Sequence, residues 1–209
     1  MTSPRPSRGE RRPRGWRCAA AICGIIARDM AVQRSRIALL LLASLGCPGE
    51  PPPVDVVPVR LAKPEGWVRV LPPATDVFAA MRPPDATCDD VGYRVDPLVQ
   101  SFEVQTGVCD YLTVRQPTLE PLEPGDVVSV RAFHYDLVAP TPSEGYLGFA
   151  LDGVIVWEVR EPIPGAPAAM SGDIVIDHAI PAGAEMQLHI HNHGENTWEL
   201  LSVMLTPAD

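Results

Sequence analysis

Two short apolar-rich runs, residues 146–151 and 154–159, are separated by only Asp152-Gly153. Two residues of this type between such runs specify a tight β-hairpin, because the turn needs positive φ and Asp and Gly adopt it at least cost. The same punctuation repeats along the chain. Pro124-Gly125-Asp126 opens the run 127–137, Pro181-Ala182-Gly183 leads into 186–192, and Gly194-Glu195-Asn196 leads into 197–205. Further short runs lie at 101–105, 111–115 and 173–180. No long apolar stripe of helical period interleaves them, and the one helix-compatible window, 75–81, is short. Short strands joined by turns, without crossover helices, predict an all-β fold, an antiparallel β-sandwich of jelly-roll type.

The N-terminal part reads differently. Arg34 and Arg36 precede the almost uninterrupted apolar run 37–45, and Gly46-Cys47 follows. That is the pattern of a secretory signal, and the run is too short to cross a bilayer as a helix. Ser44-Leu45-Gly46-Cys47 resembles the lipobox of bacterial lipoproteins, with Ser44 where that family prefers Leu. The resemblance implies that Cys47 becomes the first residue, takes a diacylglyceryl group and attaches the protein to a membrane through its acyl chains. Pro48 follows, not the Asp that retains some enteric lipoproteins at the inner membrane, which implies the outer membrane or cell surface. Residues before Met30 are basic and Pro-rich and read as a dispensable leader or an upstream extension. The expected layout is a leader and signal peptide over 1–46, a Pro-rich tether over 47–66 and the sandwich over 67–209, with Val59 as the other place where the domain could begin. Pro48, Pro51, Pro52, Pro53 and Pro58 stiffen the tether, since proline fixes φ and removes a donor.

Cleavage at Cys47 changes the charge. Residues 1–46 hold nine of the 17 basic residues and two of the 26 acidic ones, so 8 face 24 in what remains, a formal balance of −16. Such a surface repels phosphate backbones, which excludes nucleic acid as a partner. With Cys18 and Cys23 removed and Cys47 lipidated, Cys88 and Cys109 are left in an oxidising compartment, and a disulfide between them is expected. Neither G-x-S-x-G, H-E-x-x-H nor a Gly-rich phosphate loop occurs, so the sequence points away from catalysis and implies no cofactor.

From residue 88 to 205 the strand pattern is similar to jelly rolls of the galactose-binding-like and carbohydrate-binding-module type. That resemblance is architectural and implies a glycan or an envelope protein as partner. Chemistry concentrates in His189-Ile190-His191-Asn192-His193-Gly194. Strand alternation puts Met186, Leu188 and Ile190 on one face and Gln187, His189 and His191 on the other. The candidate ligand-contacting residues are His134, Asp136, His189, His191, Asn192 and His193. A metal set of His189, His191, His134 and Glu195 is the alternative, because two imidazoles two residues apart on a strand need a third ligand. The bland reading has His189 and His191 as ordinary residues on a solvent face, in which case replacing both with Gln costs under about 1 kcal/mol. The spacing Gly183, His189-x-His191, Glu195 is also similar to the first cupin motif as far as its glutamate. Ser202 stands where that motif needs glycine and no second motif follows, so the match reads as coincidence. Trp157 and Trp198 lie among apolar neighbours and are expected in the core. Tyr93, Tyr111 and Tyr146 sit near turns and are candidates for exposed sugar-stacking rings.

Overall fold

A computed structural model describes residues 56–71, 74–192 and 194–208. Cys47, its signal sequence, residues 48–55 of the proposed tether and His193 lie outside them. The strands are β1 (Val59–Arg60), β2 (Val68–Arg69), β3 (Tyr93–Asp96), β4 (Ser101–Gln105), β5 (Tyr111–Pro117), β6 (Val127–His134), β7 (Ser143–Leu151), β8 (Val154–Ile163), β9 (Ala168–Val175), β10 (Glu185–His191) and β11 (Thr197–Thr206). The fold is an antiparallel jelly-roll β-sandwich. One sheet runs β3-β4-β11-β6-β9, with β1 added alongside β11, and the other runs β2-β5-β10-β7-β8. Every pairing is antiparallel. Among the described residues there is no α-helix, and the window at 75–81 ends in the single 3₁₀ turn Ala79–Met81.

The two inner faces make the core. Met186, Leu188 and Ile190 of β10 meet Trp198, Leu200 and Val203 of β11 and their neighbours, all essentially buried. At about 25 cal/mol per Å² of apolar surface removed from water, each such side chain contributes roughly 1.5–3 kcal/mol. The hairpin at Asp152-Gly153 has φ of 48° and 79°, the double positive φ that its sequence requires. The sandwich begins upstream of Trp67. Val59 and Arg60 pair with Leu205 and Met204, and Leu61 and Ala62 are buried in the core, so the last residues assigned to the tether belong to the domain. The run 173–180 is displaced: β9 starts at Ala168 and ends at Val175. Its pairing with β6 runs from Ala168–His134 to Val175–Val127. Partner strand, not propensity, sets those bounds, since alanine is a poor strand former. Cys88 and Cys109 form the expected disulfide, with Cα atoms 3.7 Å apart across an isolated antiparallel bridge.

Candidate functional site

The outer face of the second sheet carries the histidines, and it is not a solvent face. Tyr111 on β5, His191 on β10 and Tyr146 on β7 are direct cross-strand neighbours. Their rings stand nearly parallel, 13° and 16° apart, with His191 5.0 Å from Tyr146. Arg82 lies 5.1 Å over Tyr111 and Arg160 4.9 Å over Tyr146, so a guanidinium caps each end of the row. In the next row, Thr113 Oγ1 is 2.9 Å from His189 Nδ1, and His189 Nε2 is 2.8 Å from His191 Nδ1.

Residues 74–82 lie across this face as a strap. Phe78 stacks on His189 at 4.7 Å and 16° and packs edge-on to Tyr146. The strap is held at both ends of Gln187, whose amide accepts from Val77 N–H and donates to the Thr75 carbonyl. Tyr111 donates to Asp76 at 3.0 Å. Gly148 makes room for it: a Cβ there would lie 2.6 Å from Phe78 Cε1. Under the strap His189, Tyr111 and Tyr146 are buried, at 0%, 2% and 0% exposed. Burial first, then the charge of His191, holds the His189 pKa well below the ordinary imidazole value. Burial, reinforced by the carboxylates of Asp76 and Glu158, pushes the hydroxyls of Tyr111 and Tyr146 up.

Several sequence expectations change here. His189 is not a polar-out residue, and Tyr111 and Tyr146 are not exposed stacking platforms. His134 does not join the His189/His191 pair. It lies on β6 in the other sheet, buried with its ring 4.9 Å from Trp198. Asp136 is exposed beyond the end of β6. Among the described residues no group of three or more His, Cys, Asp or Glu side chains is placed to hold a metal ion. Trp198 is in the core as expected, while Trp157 is partly buried and packs on it from β8.

Asn192 and Glu195 belong to a different place. The connections β4–β5, β6–β7 and β10–β11 each pass from one sheet to the other, and they meet around a cleft of about 590 Å³. Asp110, Asn192 and Glu195 present polar groups to it, and Val138 to Pro140 form an apolar wall. Side chains tie the loops together. Thr106 Oγ1 donates to the Gly194 carbonyl at 2.9 Å and accepts from Asn196 N–H, and Asn196 Oδ1 accepts from Val138 N–H. Such ties hold the walls before any ligand arrives. Asn192 is 1% exposed, and neither its Oδ1 nor its Nδ2 has a hydrogen-bond partner. Thr87 and Asp110, absent from the sequence candidates, lie side by side next to the disulfide: Thr87 N–H donates to Asp110 Oδ1 at 2.7 Å. The expected bridge was the signal that could have found them.

No protein-family model matches the chain. No curated protein matches it either. Solved structures do. The chain is similar to the C-terminal CBM6 of LamC, a marine laminarinase from Zobellia galactanivorans, at 9% identity over 72% of this chain and 99% of that one, with a TM-score of 0.42. It is similar to TmCBM27, a carbohydrate-binding module that recognises mannan, at 10% identity over 73% and 96%, TM-score 0.43. It is similar to the xylan-binding module CBM15 at 12% identity over 73% and 97%, TM-score 0.41.

Proposed function

We propose that this chain is a non-catalytic glycan-binding module of an exported, membrane-anchored lipoprotein, and that its ligand site is the cleft between the three sheet-to-sheet connections. The observation that carries the reading is the Asn192 amide, buried beside the cleft with a donor and an acceptor both unused. A buried polar group without a partner is costly, and a ligand hydroxyl offers both partners it lacks. Carboxylates at Asp110 and Glu195 and hydroxyls at Thr87 and Thr141 add acceptors and donors around it, and Val138, Ala139 and Pro140 can take the apolar face of a sugar ring. Asp110 Oδ1 is already committed to Thr87 N–H, and Glu195 stands exposed. A general acid for glycoside cleavage needs a carboxyl shielded from solvent, and Glu195 has no such shelter.

The test is affinity electrophoresis and calorimetry of the full chain against soluble neutral β-glucan, mannan and xylan, with heparin as an anionic control. A neutral polysaccharide is expected to bind and heparin is not, given the formal −16 balance after residue 46. Asn192→Ala is expected to weaken binding about tenfold, the equivalent of one hydrogen bond of about 1.4 kcal/mol. Binding unchanged by Asn192→Ala would remove the cleft as the site, and release of reducing ends would make the protein an enzyme.

Anchoring is tested separately. Intact-mass analysis of the membrane fraction is expected to show a chain starting at Cys47 with acyl chains attached, since two or more chains are needed for stable insertion. Cys47→Ser is expected to release the protein into the soluble fraction. Unchanged membrane association of that variant would sink the lipid anchor.

A further inference from the structure

Asn192 is not alone in carrying unused hydrogen-bonding capacity. His134 Nε2, Trp198 Nε1 and Asn196 Nδ2 also lack partners, and all four residues are buried, at 1%, 1%, 3% and, for Asn192, 1% exposed. They belong to one neighbourhood. His134 and Trp198 are register partners on β6 and β11 with rings 4.9 Å apart. Gly145 on β7 joins Trp198 to Asn192: a Cβ there would lie 2.6 Å from Trp198 Cζ2 and 3.5 Å from Asn192 Cβ. Cζ2 is bonded to the ring carbon that carries Nε1, so the part of the indole nearest Gly145 lies two bonds from the unused N–H. Asn196, two residues before Trp198, spends its Oδ1 on Val138 N–H, and its Nδ2 lies beside Gly194 in the cleft lining.

The chemistry of these atoms selects the occupant. His134 Nδ1 is 2.8 Å from the Tyr135 carbonyl oxygen, which can only accept. Nδ1 therefore carries the proton in the neutral ring, and Nε2 is an acceptor. Trp198 Nε1–H and Asn196 Nδ2 are donors, and Asn192 offers one of each. An anion would face the lone pairs of His134 Nε2 and Asn192 Oδ1. A cation would face the N–H groups of Trp198 and Asn196. A hydroxyl oxygen meets both requirements, because it accepts two hydrogen bonds and donates at least one.

We infer that His134, Trp198, Asn192 and Asn196 form a buried hydroxyl-binding site in the interior behind the cleft, which only Asn192 of the four lines, with Trp198 Nε1–H donating to the hydroxyl oxygen and that hydroxyl donating to His134 Nε2. The hydroxyl comes from an ordered water or, resting on the glycan reading of the cleft, from an alcohol of the bound saccharide. Buried waters of this kind make about three hydrogen bonds, which these groups supply.

The experiment is water-selective cross-relaxation NMR on the ¹⁵N-labelled full chain, with Trp198→Phe assigning its indole signal among the four tryptophans. The free protein is expected to show cross-relaxation between water and the Trp198 indole proton, and His134→Phe is expected to abolish it while the other tryptophan signals stay in place. The same spectra are then recorded with saturating neutral β-glucan, mannan or xylan. If the cross-peak disappears on binding and His134→Phe weakens that binding about tenfold, a saccharide alcohol takes the place. If it persists on binding, the occupant is a structural water, and the site stands. A water cross-peak without any polysaccharide binding keeps the site and removes the glycan reading. The inference is overturned if the free protein shows no water contact at this proton and none appears on polysaccharide binding, for then the polar atoms are simply tolerated in an apolar core.

Discussion

Replacing His189 with alanine is expected to destabilise the protein by roughly 3 kcal/mol, the cost of deleting a buried ring whose surroundings cannot collapse into the space. The magnitude follows from what the ring touches. It is stacked under Phe78, flanked by Tyr111 and Tyr146, and bonded on both nitrogens, to Thr113 and His191. His189→Gln keeps a donor and an acceptor but loses the stack, so its cost falls between the alanine value and the under-1 kcal/mol expected of a solvent-face residue. Urea midpoints measure both. A loss below about 0.5 kcal/mol for His189→Ala would show that the strap does not depend on the ring. The same residue imposes a pH dependence. Its folded-state pKa is depressed, so between that value and about 6.5 the unfolded chain binds the extra proton and the folded chain does not. Its contribution is complete above about pH 6.5 and is lost as pH falls toward the folded-state value, by at most about 1.4 kcal/mol per pH unit. That slope is expected to flatten in His189→Gln. His191, Asp76 and Glu158 on the same face remain in the variant, so a slope that does not change would assign the acid sensitivity to them.

Strand order of business was readable because a strand advertises itself locally. Alternation in 186–192 put Gln187, His189 and His191 on the face opposite Met186, Leu188 and Ile190, and that division holds. What alternation cannot convey is what lies on top of a face. Phe78 is more than a hundred residues before His189, and nothing in 74–82 marks it as a cover. The pairing of Phe78 with the missing side chain of Gly148 is visible only once both are in place. The displaced start of β9 has a similar cause: Ala168 and Ala169 have little strand propensity and are strands because β6 pairs with them. The cleft was half legible. Asn192 and Glu195 stood out beside the histidines, but the walls come from loops that the sheet-to-sheet connections bring together. His134, grouped with His189 as a ligand candidate, turns out to serve the other sheet and the core beside Trp198.

Reduction of the Cys88–Cys109 disulfide, or its removal by Cys88→Ser with Cys109→Ser, is expected to lower stability by roughly 3 kcal/mol. The bridge spans 21 residues of sequence, and the loop-entropy relation for a closure of that size gives about this value, acting through the unfolded chain. The fold should survive, because Cys109 is one member of a core that is otherwise filled by the apolar side chains of β4, β5, β6, β7, β10 and β11, with Cys88 only packed against it. The effect on the cleft should be smaller than the effect on stability. Thr87 and Asp110 flank the two cysteines and line the cleft, yet their segments are also joined by backbone bonds, Asp89 N–H to the Val108 carbonyl at 3.0 Å and Asp110 N–H to the Thr87 carbonyl at 3.1 Å. Arg69 adds a third tie by donating to the Cys88 carbonyl at 2.9 Å. Polysaccharide affinity is therefore expected to fall only a few-fold, about 1 kcal/mol or less, while the denaturation midpoint moves clearly. Thermal and urea melts with and without reductant, run beside calorimetry, separate the two. A midpoint indifferent to reductant would mean the bridge contributes nothing, and a complete loss of binding in the double variant would mean that the covalent link, not the backbone ties, sets the shape of that wall.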